Sequence, residues 1–565
     1  MMSTLHRDLF KIILSALMAL FFIPLIAWFF VDYALPPGRE IMPAEPFTPL
    51  WQFKTTATVS GAALLAGVVM LMTICALGAA AFINRRAQYL SFVTGWRLLT
   101  LFCAVEVVVQ GALLVWLAFW LTAFFFQVYY IKLIGIAAIL AAMGVFYAVT
   151  CIFKRVPQTT TVEGELIDES NSPALWAHIR KLAAEAGTAP PDQIVGGIDT
   201  NFFVTESPLS INEQTFNGRS LFVSLPLLRL LDRTEADAVL MHELAHFRGG
   251  DTASSAALGP KLVQYDFYNA MMQSAGVTFL VFYVLRLYRV IFEFALKRDS
   301  RAREFMADKI AAALVSGRGI IHALIKIGAY ARYRAEIEQS LFAEREQHDA
   351  RIGIADRVAA GLVPYAKSGH FLDAMQAIGV PHPFDSHPAL AERMRNVDYE
   401  VRKPDYSRIV TEQVDATWIP DINNADAIES ALWAAYENRF ATAHEQQLAY
   451  LYRPHTEAER KIVVKYFPRL EFALRSGQRI VVSYEGLLLP KENHFLSWDN
   501  ISNIKYEDAF GSDILRITHP EKGRFGAKTT KVKLPGIRKK RKQLKAALGQ
   551  YWQRHQIMLS NSMPP

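Results

Sequence analysis

Leu9 to Val31 is an almost unbroken apolar run of 23 residues. Wound as a helix at about 1.5 Å per residue, it crosses the ~30 Å hydrocarbon core of a bilayer. It exceeds a usual signal core, lacks a clear small-residue cleavage site and is followed by further apolar runs, so it reads as a retained span. Ala57 to Ile83 is a second candidate. Leu98 to Phe153 is too long for one crossing and divides near Gln127 to Lys132, where Tyr129, Tyr130 and Lys132 suit an interface. Residues 1–156 are therefore expected to form a four-span transmembrane region.

The loops set an orientation. Arg85, Arg86 and Arg97 lie between the second and third spans, and Lys154 and Arg155 follow the fourth. Asp32 to Thr56, between the first two spans, sets Arg39 and Lys54 against three acids. The positive-inside rule then puts the N-terminus, the second loop and everything after Lys154 in the cytoplasm, with a bacterial cytoplasmic membrane as the expected location. Glu106 and Gln110 sit one turn apart within the third span. An intramembrane carboxylate is either a functional group or a protonated carboxyl bonded to a neighbouring helix.

The net charge of +7 comes from one place: Glu521 to Lys545 carries eleven basic residues against one acid. The rest of the chain is slightly acidic. Cys75, Cys103 and Cys151 all fall in apolar runs, so the soluble portion has no disulfide framework.

"AVLMHELAHFRGGDT", Ala238 to Thr252, mixes apolar and ionisable residues in a way that neither a buried nor a solvated helix needs. Thr234 is a candidate cap and Gly249–Gly250 a candidate stop, which puts Ala238 to Phe247 on about three turns of helix. Residues four apart share a face, so His242 and His246 can grip one metal ion. Glu243 is offset by one position, close enough to reach a water on that ion. This is the HExxH arrangement, two imidazoles for Zn²⁺ and a carboxylate as general base. The plain alternative is a solvated helix with incidental histidines, and a third ligand decides between them. "KRDSRAREFMADKIAAALV", Lys297 to Val315, offers Glu304 on a second helix, with Asp308 one turn later to hold a liganding imidazole by a hydrogen bond. An ordinary ion pair of Glu304 with Arg301 or Arg303 is the competing reading.

These stretches resemble the HtpX-like and CAAX-prenyl-protease-like membrane zinc metallopeptidases. The resemblance rests on "HELAHFRGGD" and "SRAREFMAD" behind several spans, and extends to "DTNFFVTE" (Asp199 to Glu206) and "SHPALAERM" (Ser386 to Met394), covering roughly Val162 to Val397. It implies a zincin-like fold with one Zn²⁺ per chain held by His242, His246 and Glu304, and Glu243 as catalytic base. It also implies that Asn201 holds the substrate backbone, that His387 stabilises the oxyanion and that Arg393 lies near the site. Phe202 and Glu206 stand where the family has small residues, and Ala389 replaces a second proline after His387. The substrate groove is accordingly expected to differ from the family's, and His382, five residues before His387, reads either as a competing candidate or as a turn histidine between two prolines.

Residues 276–296 are as long as a span but carry Arg286, Arg289 and Glu293 along one side. A single crossing would put Glu304 and His242 on opposite faces, so the metal site requires zero or two crossings before Asp299. An interfacial helix, or one docked on the spans, is expected. Downstream, 401–477 reads as a linker followed by a helical segment from Ala425 to Gly477. Residues 478–565 alternate short apolar runs with turn residues and end in a basic helix near Arg538 to His555, which looks like a β-rich PH-like domain. The cluster Arg538–Lys545 has no interleaved aromatics, so anionic lipid headgroups suit it better than nucleic acid, which is not expected, and a merely solvated charged helix is the plain alternative.

The expected fold is thus a multi-pass α-helical membrane region, a mostly α (α+β) metalloprotease domain over 157–400 and a C-terminal β-rich domain. The expected function is a zinc endopeptidase of the cytoplasmic face that cuts membrane or misfolded proteins. Specific processing of the CAAX type, and a non-catalytic scaffold with a structural metal, are the alternatives.

Overall fold

The computed structural model describes residues 2–35, 43–156, 160–344, 352–378, 388–490, 494–509, 512–523 and 526–562. His382 and His387 lie outside these residues. The chain divides into two compact units, one of residues 1–331 and 363–429, the other of 332–362 and 430–565.

The first unit opens with α1 (Met2–Ala34), α2 (Pro49–Ala80), α3 (Arg85–Phe126) and α4 (Ile131–Thr150). All four are long and apolar enough to cross a membrane, and the protein is a membrane protein. The Asn84 side chain caps α3 by accepting the Ala87 N–H at 2.9 Å. Gln127 ends that helix in the left-handed region at φ 55°, where the long apolar run was expected to divide. Within the bundle Gln110 donates to the Leu20 carbonyl of α1 at 3.0 Å and to Glu106 at 3.2 Å. The intramembrane carboxylate is therefore satisfied from its own helix.

Next comes a small α/β layer. Strands β1 (Thr160–Thr161) and β2 (Glu165–Leu166) precede α5 (Pro173–Ala186), and β3 (Gln193–Gly197) to β7 (Ser220–Ser224) follow, with β4 at Phe203–Thr205, β5 at Leu209–Ile211 and β6 at Gln214–Phe216. The main sheet runs β2-β3-β7-β4, with β3 and β7 parallel and the outer pairs antiparallel. Its central strand β7 is buried at every position, as a strand covered on both faces must be. Its edge strands are β2 and β4.

After α6 (Leu225–Leu230) comes α7 (Arg233–Arg248). Asp232 caps α7 rather than the expected Thr234. Its carboxylate accepts the Glu235 N–H at 2.8 Å while Glu235 accepts the Asp232 N–H at 2.9 Å, a reciprocal box that satisfies two otherwise orphaned donors. Then α8 (Asp251–Ala275) and α9 (Phe279–Ala311) form a helical hairpin. The hairpin packs among the membrane helices: Tyr265, Tyr268, Val284, Tyr288 and Phe292 share one buried core with Leu20, Met70, Phe92 and Cys103. Hydroxyls fasten it, Tyr288 donating to the Ser91 carbonyl at 3.0 Å and Tyr268 to that of Ala148 at 3.0 Å. The segment 276–296 is thus the returning arm of a pair, and out-and-back geometry leaves the start of α8 and the end of α9 on the same side.

The chain continues through a π-helical turn (Ala312–Ser316) into α10 (Gly317–Ala343), α11 (Ile354–Ala366), α12 (Gly369–Ile378), α13 (Leu390–Asn396) and α14 (Asp405–Thr411). α14 buries Tyr406, Ile409 and Val410 where a plain linker was expected.

In the second unit, α15 (Ala425–Leu451, from Ser430 on) and α16 (Glu457–Tyr466) are followed by seven strands and α17 (Arg541–Ser562). The strands are β8 (Leu470–Ala473), β9 (Arg479–Val482), β10 (Gly486–Leu488), β11 (Phe495–Ser497), β12 (Asn503–Ala509), β13 (Ser512–Gly523) and β14 (Gly526–Lys533). They make two antiparallel sheets, β11-β10-β9-β8 and β12-β13-β14. The helical pattern expected to reach Gly477 stops at Tyr466, because β8 pairs with β9 and buries Phe472.

Candidate metal centre

α7 carries His242 and His246 on adjacent turns, with ring centroids 5.0 Å apart. α9 brings Glu304 across from them. Its two carboxylate oxygens lie 3.7 Å from His242 Nε2 and 3.6 Å from His246 Nε2. One ligand atom from each of the three residues falls within 4.8 Å of the others. Spacings of 3.6–3.7 Å are too long for hydrogen bonds between the groups. They suit ligands about 2.0–2.2 Å from a shared tetrahedral ion, which would stand roughly 3.4 Å apart. The donor set, two imidazole nitrogens and a carboxylate with room beside them, fits zinc.

Each imidazole is anchored from behind. His242 Nδ1 lies 3.0 Å from Asp308 Oδ1, and His246 Nδ1 lies 3.3 Å from Asp251 Oδ2. A carboxylate at Nδ1 holds the proton there and turns the Nε2 lone pair toward Glu304. Asp308 has no solvent exposure and takes a two-pronged bond from Arg393 of α13, Nε to Oδ2 at 2.8 Å and Nη2 to Oδ1 at 2.5 Å. Burial alone would raise the Asp308 pKa, but Arg393 and His242 outweigh it and bring it down to about 2. Arg393 also stands 3.9 Å from Glu304, so it faces both carboxylates.

Glu243 lines a cleft of about 180 Å³ whose other walls are Phe203, Val204 and Thr205 of β4, with His246, Arg303 and Glu304. Asn201 is exposed, two residues before β4, and does not border this cleft. The cleft is edged by the strand itself.

Residues 171–401 match the sequence profile of Peptidase family M48. Protease HtpX of Haemophilus influenzae is 30% identical over 188 residues, covering 30% of this chain and 64% of that protein. Residues 171–401 are thus an HtpX-like region similar to family M48. Among its relatives, the HtpX homologue of Pelotomaculum thermopropionicum is 24% identical over 255 residues, 41% of this chain and 77% of the relative. The homologue of Thermoplasma volcanium is 29% identical over 163 residues, 27% of this chain and only about half (51%) of the relative. No solved structure matches the chain.

Two residues of this site carry no role at the metal centre in the sequence reading. Asp251 closes the motif "HELAHFRGGD", yet it sits beyond the end of α7. Gly250, left-handed at φ 65°, folds the chain back so that Asp251 starts α8 beneath His246. Arg85, the first residue of α3, forms an ion pair with Asp251 and donates to the Gly249 carbonyl at 2.7 Å. A contact between residues 164 apart in sequence leaves no local pattern to find.

Proposed function

We propose that the chain is a membrane-embedded zinc endopeptidase acting on membrane or misfolded proteins from the cytoplasmic face. The observation that carries this reading is the inward-facing His242–His246–Glu304 set with Glu243 beside it in an open cleft. Three protein ligands with space for a fourth, non-protein one suit catalysis; structural zinc usually takes four from the protein. Among the described residues these three are the set that could hold an ion.

When bound, zinc would supply Lewis-acid polarisation of a peptide carbonyl and make a water easier to deprotonate. The side chains then divide the work. Glu243, one residue past a ligand, takes the water's proton and returns it to the leaving amine. Asp308 and Asp251 fix the imidazoles, and Arg393 holds Asp308 as an anion. The free edge of β4 suits an extended substrate backbone added as a further strand, with Asn201 at the entrance to that strand. His387 keeps the oxyanion role that the resemblance gives it.

The Arg85 contacts support the orientation: the start of α3, with Arg85 and Arg86, lies on the same side as the candidate metal site. A basic loop faces the cytoplasm by the positive-inside rule, and the site goes with it.

The test compares new protein N-termini in cells carrying the native chain or Glu243→Gln. The variant should load zinc fully and lose about 10²–10⁴-fold in cleavage rate. New N-termini made equally by both proteins would remove Glu243 as base, and none made by either would favour a scaffold.

A further inference from the structure

A chamber of about 730 Å³ lies between α1, α8 and α9, apart from the metal cleft. Its wall is half apolar and half ionic. Leu9, Ile12, Phe282 and Phe294 supply the apolar part, while Asp8, Asp266, Arg286, Arg289 and Glu293 supply the charge. Its level is set by α1, whose apolar run begins at Leu9, and by α3, where Ser91 meets Tyr288 six residues before the basic Arg97. That is the depth of lipid headgroups, on the side of the metal site.

The charges are not equally satisfied. Arg289 lies 3.1 Å from Asp266 and also pairs with Glu293. Arg286, one turn earlier and exposed, has no ion pair or hydrogen bond among the described residues. Asn269 on α8 is 5% exposed, and its carboxamide oxygen has no donor. Beside the chamber α1 exposes Phe10 (64%), Ile13 (39%) and Leu14 (48%), a surface made for acyl chains.

We propose that this chamber is a binding site for a zwitterionic phospholipid of the ethanolamine type. The phosphate lies on the Arg286 guanidinium, whose fork matches phosphate oxygens. The ammonium lies among the carboxylates and supplies the donor that Asn269 lacks. One acyl chain follows Leu9, Ile12 and Phe282. Lys11 and Lys297 pair with Asp8 and Glu293 from outside the chamber, but the groups that line it are two guanidiniums and three carboxylates, a mixed wall that suits a phosphate joined to an ammonium. Inorganic phosphate would satisfy Arg286 but leave the apolar wall wet.

Native mass spectrometry of the delipidated full chain tests this with phosphatidylethanolamine, phosphatidylglycerol and diacylglycerol of matched chains, and with inorganic phosphate as competitor. One phosphatidylethanolamine per chain is expected, with phosphatidylglycerol weaker, diacylglycerol not retained and phosphate unable to displace the lipid. Arg286→Gln, at an exposed position that leaves folding intact, should weaken retention about tenfold. Ile12→Trp should block the acyl slot with every charge in place. The site is overturned if Arg286→Gln retains the lipid like the native chain, or if diacylglycerol binds as well. Phosphatidylglycerol binding at least as tightly would overturn the zwitterionic assignment, and displacement by equimolar phosphate would reduce the site to an anion pocket.

Discussion

The two imidazoles of the metal site are held by carboxylates in different settings, and the difference predicts different penalties. Asp308 is fully buried and forms a fork with Arg393, itself 6% exposed. Asp308→Asn leaves that guanidinium buried without its anion, a loss of about 3–5 kcal/mol, and frees His242 to turn, weakening zinc roughly 10–100-fold. A lowered melting temperature and a metal-competition titration read the two effects. Asp251 sits at the start of α8, and its second partner Arg85 is partly solvated. Asp251→Asn should therefore weaken zinc by a similar factor while lowering the melting temperature far less. Equal zinc affinity in native protein and Asp251→Asn would show that His246 is oriented by its helix alone. His242, His246 and Glu243 were legible because helical spacing puts them together. Glu304 and Asp308 were legible by the same rule on a second helix. Asp251 and Arg85 were hidden, since a left-handed glycine and a tertiary contact bring them in.

At the scale of elements, the α8–α9 hairpin holds Glu304 opposite α7, and small residues let it dock. A Cβ on Gly95 would stand 2.7 Å from the Tyr288 hydroxyl, and one on Gly78 would stand 2.5 Å from Ile291 Cγ2. Gly95→Val should push α9 off α3 and carry Glu304 away from the imidazoles. The expected readout is a substoichiometric zinc content in purified protein. Gly61, on α2 with nothing within 4 Å of an added Cβ, provides the control, and Gly61→Val should keep one zinc. Full zinc in Gly95→Val would show that the site does not depend on this contact. The hairpin was only half legible. Charges on α9 marked it as something other than a lipid-exposed span, but α8 is interrupted by Ser, Gln, Asp266 and Asn269 and gave no apolar run to pair with it. Its contacts with the membrane helices are made instead by Tyr265 and Tyr268, and Gln264 donates to the carbonyl of Lys154, just beyond α4, at 2.6 Å. The strand β8 was missed for the opposite reason: "LEFA" has no alternation strong enough to end a helical reading, and only its pairing with β9 makes it a strand.

For the whole molecule the open question is which face of the membrane bears the chemistry, and the cysteines allow a direct answer. The chain has three, all in apolar helices or at their ends, with Cys103 and Cys151 buried. Single cysteines placed in loops therefore report against a low background. Phe47, in the first loop, is 81% exposed, and Arg86 is exposed in the first turn of α3, just after the second loop. Ser170 is exposed in the soluble layer near α5. Because Arg85 is bound to Asp251 and Gly249, the second loop and the metal site must share a side, whereas α2 carries the chain across between Phe47 and Arg86. In intact cells a membrane-impermeant maleimide should label Phe47→Cys. It should reach Arg86→Cys and Ser170→Cys only after permeabilisation. Labelling of the second pair and not the first would turn the protein over and place proteolysis on the outer face. Labelling of Arg86→Cys and Ser170→Cys from opposite sides would contradict the Arg85 contact itself, since no single bilayer could then lie across the helices that flank it.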